Sequence, residues 1–395
     1  MQNQATDTNP NQPKATRQLP RWQIGLLLLM LLAFLAASYA FLQPQQGGNQ
    51  VPSILFLAED EAGRLQLFMA EQPNWQPIQL THAQAEVTSY APSPDGRQIA
   101  FAVSYPIGSS QIHLLDMQDG SAGPAEISLI CDNAESSLPV WHPDGRRLLY
   151  ERREPPNFSR PQLWWLDTET GETRLLLEEE TAVSSSAQFS ADGSWVSFAG
   201  SPDEGLRLYN FEDGRSLVIA SDVGTPAIWH PFQNQLLYQN TRVVVFHGEN
   251  DENHDEHSHD YATAVSLYLA TLDATSSNAN FHLLSEDGVF NDGNATWSPD
   301  SEWIAFGRRL AGTNTGRQLW LMRPDGSEAH ALTNDIATHY GPPTWSPDGR
   351  FLLFQQYDSN TPDQPPSVWL LEIASGEFTQ VTSNGLLPTF LVTAE

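Results

Sequence analysis

The chain has 395 residues and a formal net charge of −29, with 48 acidic against 19 basic residues. Such a surface repels phosphate backbones and anionic headgroups, which excludes nucleic acid as a partner. The one cysteine, Cys131, excludes an internal disulfide, and a domain of this size needs none.

Residues 1–21 are rich in Gln, Asn, Thr and Pro without an apolar period, which predicts a disordered cytoplasmic tail. Residues 22–42 read as a transmembrane signal anchor. Within them the run Ile24–Leu42, "IGLLLLMLLAFLAASYAFL", carries no charge over 19 residues, enough to span a bilayer as a helix. Lys14, Arg17 and Arg21 precede it and no base follows before Arg64, so the N-terminus is expected in the cytoplasm and the rest outside. The chain is thus expected at the cell membrane as a single-pass protein. The alternative is a cleaved signal peptide with Ser38-Tyr39-Ala40 at its cleavage site. Residues 43–52, "QPQQGGNQVP", form a flexible linker.

From 53 to 395 one hexamer recurs: "PSPDGR" (92–97), "WHPDGR" (141–146), "FSADGS" (189–194), the worn "WHPFQN" (229–234), "WSPDSE" (297–302) and "WSPDGR" (345–350). In the last copy Ser346, Pro347 and Asp348 suit the first three positions of a type I turn, and Gly349 suits the left-handed conformation that closes a tight hairpin. Aromatic and aliphatic flanks mark the strands. Two further strands follow each hairpin, as in "SVWLLEIASGEFTQVT" (367–382). The turn positions fall at 95, 144, 192, 232, 300 and 348, which is the period of a four-stranded propeller blade, strands A to D. Trp141, Trp229, Trp297 and Trp345 repeat with the blades and are expected in the core; adjacent Trp164 and Trp165 should face opposite sides of one sheet.

The two ends complement each other. "SILF" (53–56) aligns with the B strand "FLLF" (351–354) but lacks an A strand, and "LPTFLV" (387–392) matches the A segment "PPTWSP" (342–347) but lacks a B. The C-terminal strand is therefore expected to complete the N-terminal blade. This predicts an all-β, seven-bladed propeller, with six blades as the alternative, closed by pairing of its terminal strands. The repeat resembles the PD40 or WD40-like type of the TolB-like family over about 53–392. That resemblance implies the fold and leaves function open. TolB itself carries a small α/β domain before a six-bladed propeller, where this chain has its apolar segment.

The fourth unit is oversized. Its B–C connection holds "HGENDENHDEHSHDY" (247–261), in which His247, His254, His257 and His259 stand among acids including Asp255 and Asp260. Imidazole and carboxylate are ligands for zinc, copper or nickel, so 247–260 is a candidate divalent-metal loop; a solvated polar insertion is the plainer alternative. No cofactor is otherwise expected.

TolB-like propellers also form the front half of prolyl-oligopeptidase-type peptidases, whose hydrolase domain carries a G-x-S-x-G elbow. This sequence contains no G-x-S-x-G, H-E-x-x-H, P-loop or dinucleotide fingerprint. A lyase, lactonase or hydrolase site at the axial pocket would draw on His82, Glu86, Asp292, His339 and Tyr340 in the D–A connections, although no pair among them has a catalytic spacing. The reading favours a membrane-anchored extracytoplasmic scaffold that binds a protein or peptide. An axial-pocket enzyme and a metal-binding or sensory domain are the alternatives.

Overall fold

The hexamer turns set the architecture. At 345–350, Gly349 N–H donates to the Ser346 carbonyl at 2.9 Å and Gly349 has φ 70°, the left-handed region open to glycine. The Ser346 hydroxyl donates to Asp348 at 2.6 Å and accepts from Phe351 N–H at 2.9 Å, so the side chains knit the turn they initiate. Ser93, Ser190 and Ser298 repeat the contact with Asp95, Asp192 and Asp300. In blade 5 Ser301 takes the left-handed position at φ 62° without being glycine.

The computed structural model describes residues 51–392 apart from 106–107, 119–120, 130–133, 156–159, 178–183, 201–203, 247–259, 274–277, 286–289, 359 and 362. The described residues belong to one compact unit, 51–395. They form seven antiparallel sheets, a seven-bladed propeller, and no helix occurs among them. The expected span at Ile24–Leu42, its flanking tail and Cys131 lie outside the described residues; within these no helix is long and apolar enough to cross a membrane.

Blades 1 to 6 follow the hexamers. Blade 1 runs Glu86–Pro92, Gln98–Tyr105, Ser109–Gln118 and Ser121–Leu129 as strands A to D. Blade 7 is shared by the two ends: Leu386–Phe390 is its A strand, and Ile54–Glu59, Leu65–Ala70 and Ile78–Gln79 are B to D. Ile54 stands opposite Phe390 and Leu55 opposite Thr389 in an antiparallel ladder. D strands lie outermost and read as exposed, as at Phe378–Thr382 in blade 7's neighbour, blade 6.

Seven apolar clusters occupy the seven blade interfaces. Leu55, Leu57 and Leu67 of blade 7 meet Val87, Ile99 and Phe101 of blade 1. On its other side Ile54, Phe56 and Phe390 meet Leu353, Val368 and Leu370 of blade 6. The hexamer tryptophans pack at these seams, and two of them reach back one blade: Trp141 Nε1 donates to the Ala91 carbonyl at 2.9 Å and Trp229 Nε1 to Ser197 Oγ at 3.0 Å. Trp164 and Trp165 do face opposite sides, joining the blade 1–2 and blade 2–3 clusters respectively.

Most A strands carry a bulge three residues before the hexamer aromatic. Leu138, Ser186, Asn294 and Leu387 adopt positive φ of 50–54° there, beside breaks in ladder register. At three of these bulges the freed amide donates to a side chain of the preceding blade: Leu138 N–H to Ser89 Oγ at 3.0 Å, Ser186 N–H to Glu151 Oε1 at 2.8 Å, Leu387 N–H to Gln355 Oε1 at 2.7 Å. Glu151 is buried at 2 % exposure, and desolvation raises its pKa above the usual carboxylate value despite that hydrogen bond.

In blade 4 the B strand runs Gln235–Phe246 and the C strand begins at Asp260. The β-branched run Val243–Val245 pairs with 261–263 and extends the hairpin well beyond the blade period.

Candidate functional site

In an antiparallel blade the start of A, the end of B and the start of C share one face, where the D–A and B–C connections lie. In blades 5 and 6 that geometry gathers three arginines. Asp292 lies in strand A of blade 5, Phe290–Trp297, opposite Arg308 of strand B, Ile304–Leu310. Arg308 grips the Asp292 carboxylate bidentately, Nε and Nη2 each at 2.8 Å, with the side chains 8 % and 1 % exposed. Its guanidinium lies 4.8 Å from the Phe290 and Trp320 ring centres and 5.3 Å from Phe306. Both Asp292 oxygens are engaged by Arg308, so this pair is a buried structural clasp.

Strand alternation turns the next residue, Arg309, to the opposite side of the sheet. Arg317, just before strand C (Gln318–Met322), lies on that same side across Gly293 and Gly307, which face each other in the ladder. A Cβ on Gly307 would stand 2.4 Å from Arg317 Cδ, and one on Gly293 2.8 Å from its Nη1. The two glycines thus leave a lane for the Arg317 side chain, shared at Gly293 with the Gln239 amide, and Arg317 Nη1 donates to the Gly307 carbonyl at 3.4 Å. Burial lowers the Arg317 pKa, and the neighbouring Arg309 charge lowers it further; Asp292 and Tyr357 oppose that shift. Arg309 Nε is buried without an acceptor among the described residues. Among those residues neither Arg309 nor Arg317 forms an ion pair with a carboxylate, whereas Arg308 does.

The seam with blade 6 completes the site. Gly316 N–H donates to the Ile336 carbonyl at 2.7 Å, and the Arg317 carbonyl accepts from Tyr340 N–H at 2.9 Å. Arg317 N–H points to His339 Nδ1 at 3.4 Å, which leaves the imidazole proton on Nε2. The His339 ring stacks on Tyr357 at 4.7 Å and 21°. Burial lowers the His339 pKa, and the Arg317 and Arg309 charges add to that effect, so the ring is neutral at neutral pH. The arrangement offers an anion two guanidinium groups and an imidazole N–H, in a chain that is otherwise strongly acidic.

Of the residues singled out in sequence, Asp292 and His339 come to this one site. Tyr340 is buried in the blade 5–6 cluster, while His82 and Glu86 are exposed in the region of blades 7 and 1. Of the candidate metal residues, His247, His254, Asp255, His257 and His259 lie outside the described residues, and Asp260 is the first residue of a strand, paired with Phe246. Among the described residues no cluster of His, Cys, Asp and Glu could hold a metal ion. Arg309, Arg317 and Tyr357 escaped the sequence reading. A signal was present: Trp303–Pro324 contains four arginines and no acidic residue, in a chain of net charge −29. On the opposite face a cleft lies between the A–B turns of blades 3 and 4, where Phe232 is 74 % exposed.

Comparison with known proteins supports the β-propeller. The N-terminal β-propeller domain family of prolyl oligopeptidase matches residues 80–218. No curated protein sequence matches the chain. A puromycin-hydrolysing peptidase of Mycobacterium tuberculosis superposes with a TM-score of 0.58 at 16 % identity, over 86 % of this chain and 54 % of that one. This chain therefore spans about half the length of that peptidase. An oligogalacturonate lyase of Vibrio parahaemolyticus gives 0.55 at 15 % identity, over 84 % and 85 % of the two chains. TolB of Acinetobacter baumannii gives 0.48 at 15 % identity, over 85 % of this chain and 66 % of that one. At these identities the likeness is one of fold, which hosts binding proteins and enzymes alike.

Proposed function

We propose that this chain is a membrane-anchored, extracytoplasmic propeller that binds a protein or peptide partner on the D–A and B–C face of blades 5 and 6. The observation that supports it is the Arg309–Arg317 pair, which has no carboxylate partner among the described residues of a chain of net charge −29. Two like charges held together cost stability, and an anionic group on a partner would relieve that repulsion and fix the partner's orientation. In this reading Ile24–Leu42 is the anchor, residues 1–21 stay in the cytoplasm, and the terminal strands of blade 7 clasp the ring shut. The TolB-like label of the repeat belongs to the same reading, as does a zinc, copper or nickel ion at 247–260.

The test is capture from the cell envelope with detergent-solubilised full-length protein, in parallel with the Arg309→Gln/Arg317→Gln variant. A partner held by the first and lost by the second is the expected result. Equal recovery by both, or no partner at all, would sink the assignment of this face. Topology is read separately: protease added to spheroplasts should digest the propeller and spare the tail, whereas a mature protein starting at Phe41 would identify a cleaved signal.

One observation favours a second reading, an enzyme of lyase or hydrolase type at the same pocket. His339 is held neutral beside two guanidinium groups, with Nδ1 engaged by Arg317 N–H, the state in which its Nε2–H can donate to charge developing on an anionic substrate. Turnover of a carboxylate-bearing substrate by the parent, lost in His339→Gln, would carry this reading; no turnover by the parent would weigh for the scaffold.

A further inference from the structure

The Arg317 guanidinium is held in place before any ligand arrives. Arg317 lies flat in the Gly293–Gly307 lane, tethered through its own Nη1 to the Gly307 carbonyl and through its main chain to His339 and Tyr340. Arg309 rises from the same strand as Gly307, two residues on, and therefore on the same side. Its buried Nε–H still lacks an acceptor among the described residues. Asp292 cannot serve, since Arg308 holds both of its oxygens.

We infer that Arg309 and Arg317 form a receptor for a single carboxylate group, with the His339 Nε2–H as an auxiliary donor. The inference deepens the proposed partner-binding face and rests on it. Charge decides between the common anions. A carboxylate is a planar monoanion with two lone-pair edges that two guanidinium forks can share. Phosphate brings up to two negative charges into the field of a chain at −29, and it would meet a neutral imidazole rather than a third cation. The carboxylate can come from the C-terminus or an acidic side chain of a peptide, or from a free small acid.

The experiment is isothermal titration of the full-length protein in detergent with four probes: acetyl-triglycine as the free acid, acetyl-triglycine amide, succinate and inorganic phosphate. The expected result is binding of the free-acid peptide or succinate, none of the amide, and weaker binding of phosphate. A preference for the peptide acid assigns a peptide carboxylate; a preference for succinate assigns a free acid. Arg309→Gln, whose side chain is partly exposed and whose loss leaves the seam intact, should weaken carboxylate binding about tenfold. The double variant with Arg317→Gln should abolish it, with the thermal midpoint recorded to verify folding. Binding of no carboxylate, phosphate binding as tight as succinate, or an unchanged affinity in Arg309→Gln would overturn the receptor. Envelope capture separates the two readings. A partner lost in the double variant despite silent titrations leaves the face and removes the receptor; carboxylate binding lost while the partner is retained does the reverse.

Discussion

Removing residues 386–395 should damage this protein far more than ten terminal residues usually do. The segment supplies the A strand of blade 7, and without it the buried strand Ile54–Glu59 becomes an open edge. Phe390 and Leu391, 4 % and 2 % exposed, sit in the clusters on the two sides of that blade. Truncating one such phenylalanine to alanine costs about 3–5 kcal/mol, and losing a buried leucine about 2–5 more. Three contacts go with them: Leu387 N–H to Gln355 at 2.7 Å, Leu391 N–H to the Ser53 carbonyl at 2.8 Å, and the Tyr90 hydroxyl to the Leu387 carbonyl. Against a stability of about 5–15 kcal/mol the sum is enough to unfold the domain. Phe390→Ala alone is the graded version. At about 2.1 cal/mol/K per residue over roughly 340 residues, a loss of about 3–5 kcal/mol lowers the thermal midpoint by about 4–7 °C. Phe378→Ala, in the outermost strand of blade 6 and 39 % exposed, is the control and should cost under about 1 kcal/mol. The assay is tryptophan fluorescence on heating the detergent-solubilised chain. A truncated protein that melts with the full-length one, or a Phe390→Ala no worse than Phe378→Ala, would refute the clasp and the energetics built on it.

Four other outcomes are expected. Glu151→Gln keeps the acceptor for Ser186 N–H and removes a buried charge, so it should be at least as stable as the parent at pH 7, while Glu151→Ala should lose about 1–3 kcal/mol in denaturant titration; equal damage by both would contradict this. Asp292→Asn leaves the Arg308 charge buried and uncompensated and should cost about 3–5 kcal/mol by the same measurement, against about 0–1 kcal/mol for Glu302→Gln at the exposed pair with Arg323. His339 has a folded pKa below its ordinary 6.5, so the unfolded chain binds the proton first and stability falls as pH drops through 6.5 toward the folded value; melting His339→Gln across that window should show a shallower slope than the parent. Deleting 247–259 should leave the melting point of the propeller within about 2 °C, because the segment lies beyond the four-strand period, and should abolish any zinc uptake seen by calorimetry in the parent; equal uptake by the deleted protein would discard 247–260 as a metal loop.

The fold was legible because its defining feature is local. Ser346-Pro347-Asp348-Gly349 closes a turn by its own side chains, and six copies at blade period reveal the sheets between them. The long hairpin of blade 4 is carried through Asn240-Thr241-Arg242 by cross-strand pairing with Ala264–Ser266, which the local propensity of those three residues does not encode. The bulges were invisible: Leu138, Ser186, Asn294 and Leu387 share a backbone conformation and no side-chain chemistry, and none is glycine. The candidate site was half legible. Asp292 and His339 stood out as polar residues at strand starts, but Arg309 and Arg317 meet only because a glycine pair makes room on one sheet and a second blade docks against it. That convergence is tertiary, and spacing along the chain does not encode it.

The bulge amides give the ring a direction. Each acceptor, Ser89, Glu151 or Gln355, belongs to the earlier blade and each donor to the later one. Each such bond couples its two blades reciprocally, through the strand nearest the axis. The last of these latches holds Leu387, in the strand that ends the described chain. That terminal strand has three keepers, the N-terminal ladder at Ile54–Leu57, Gln355 in blade 6 and the Tyr90 hydroxyl of blade 1. Full release of the strand must break all three. Amide exchange at Leu387 thus reports on the integrity of blade 6 as much as on the strand that carries it.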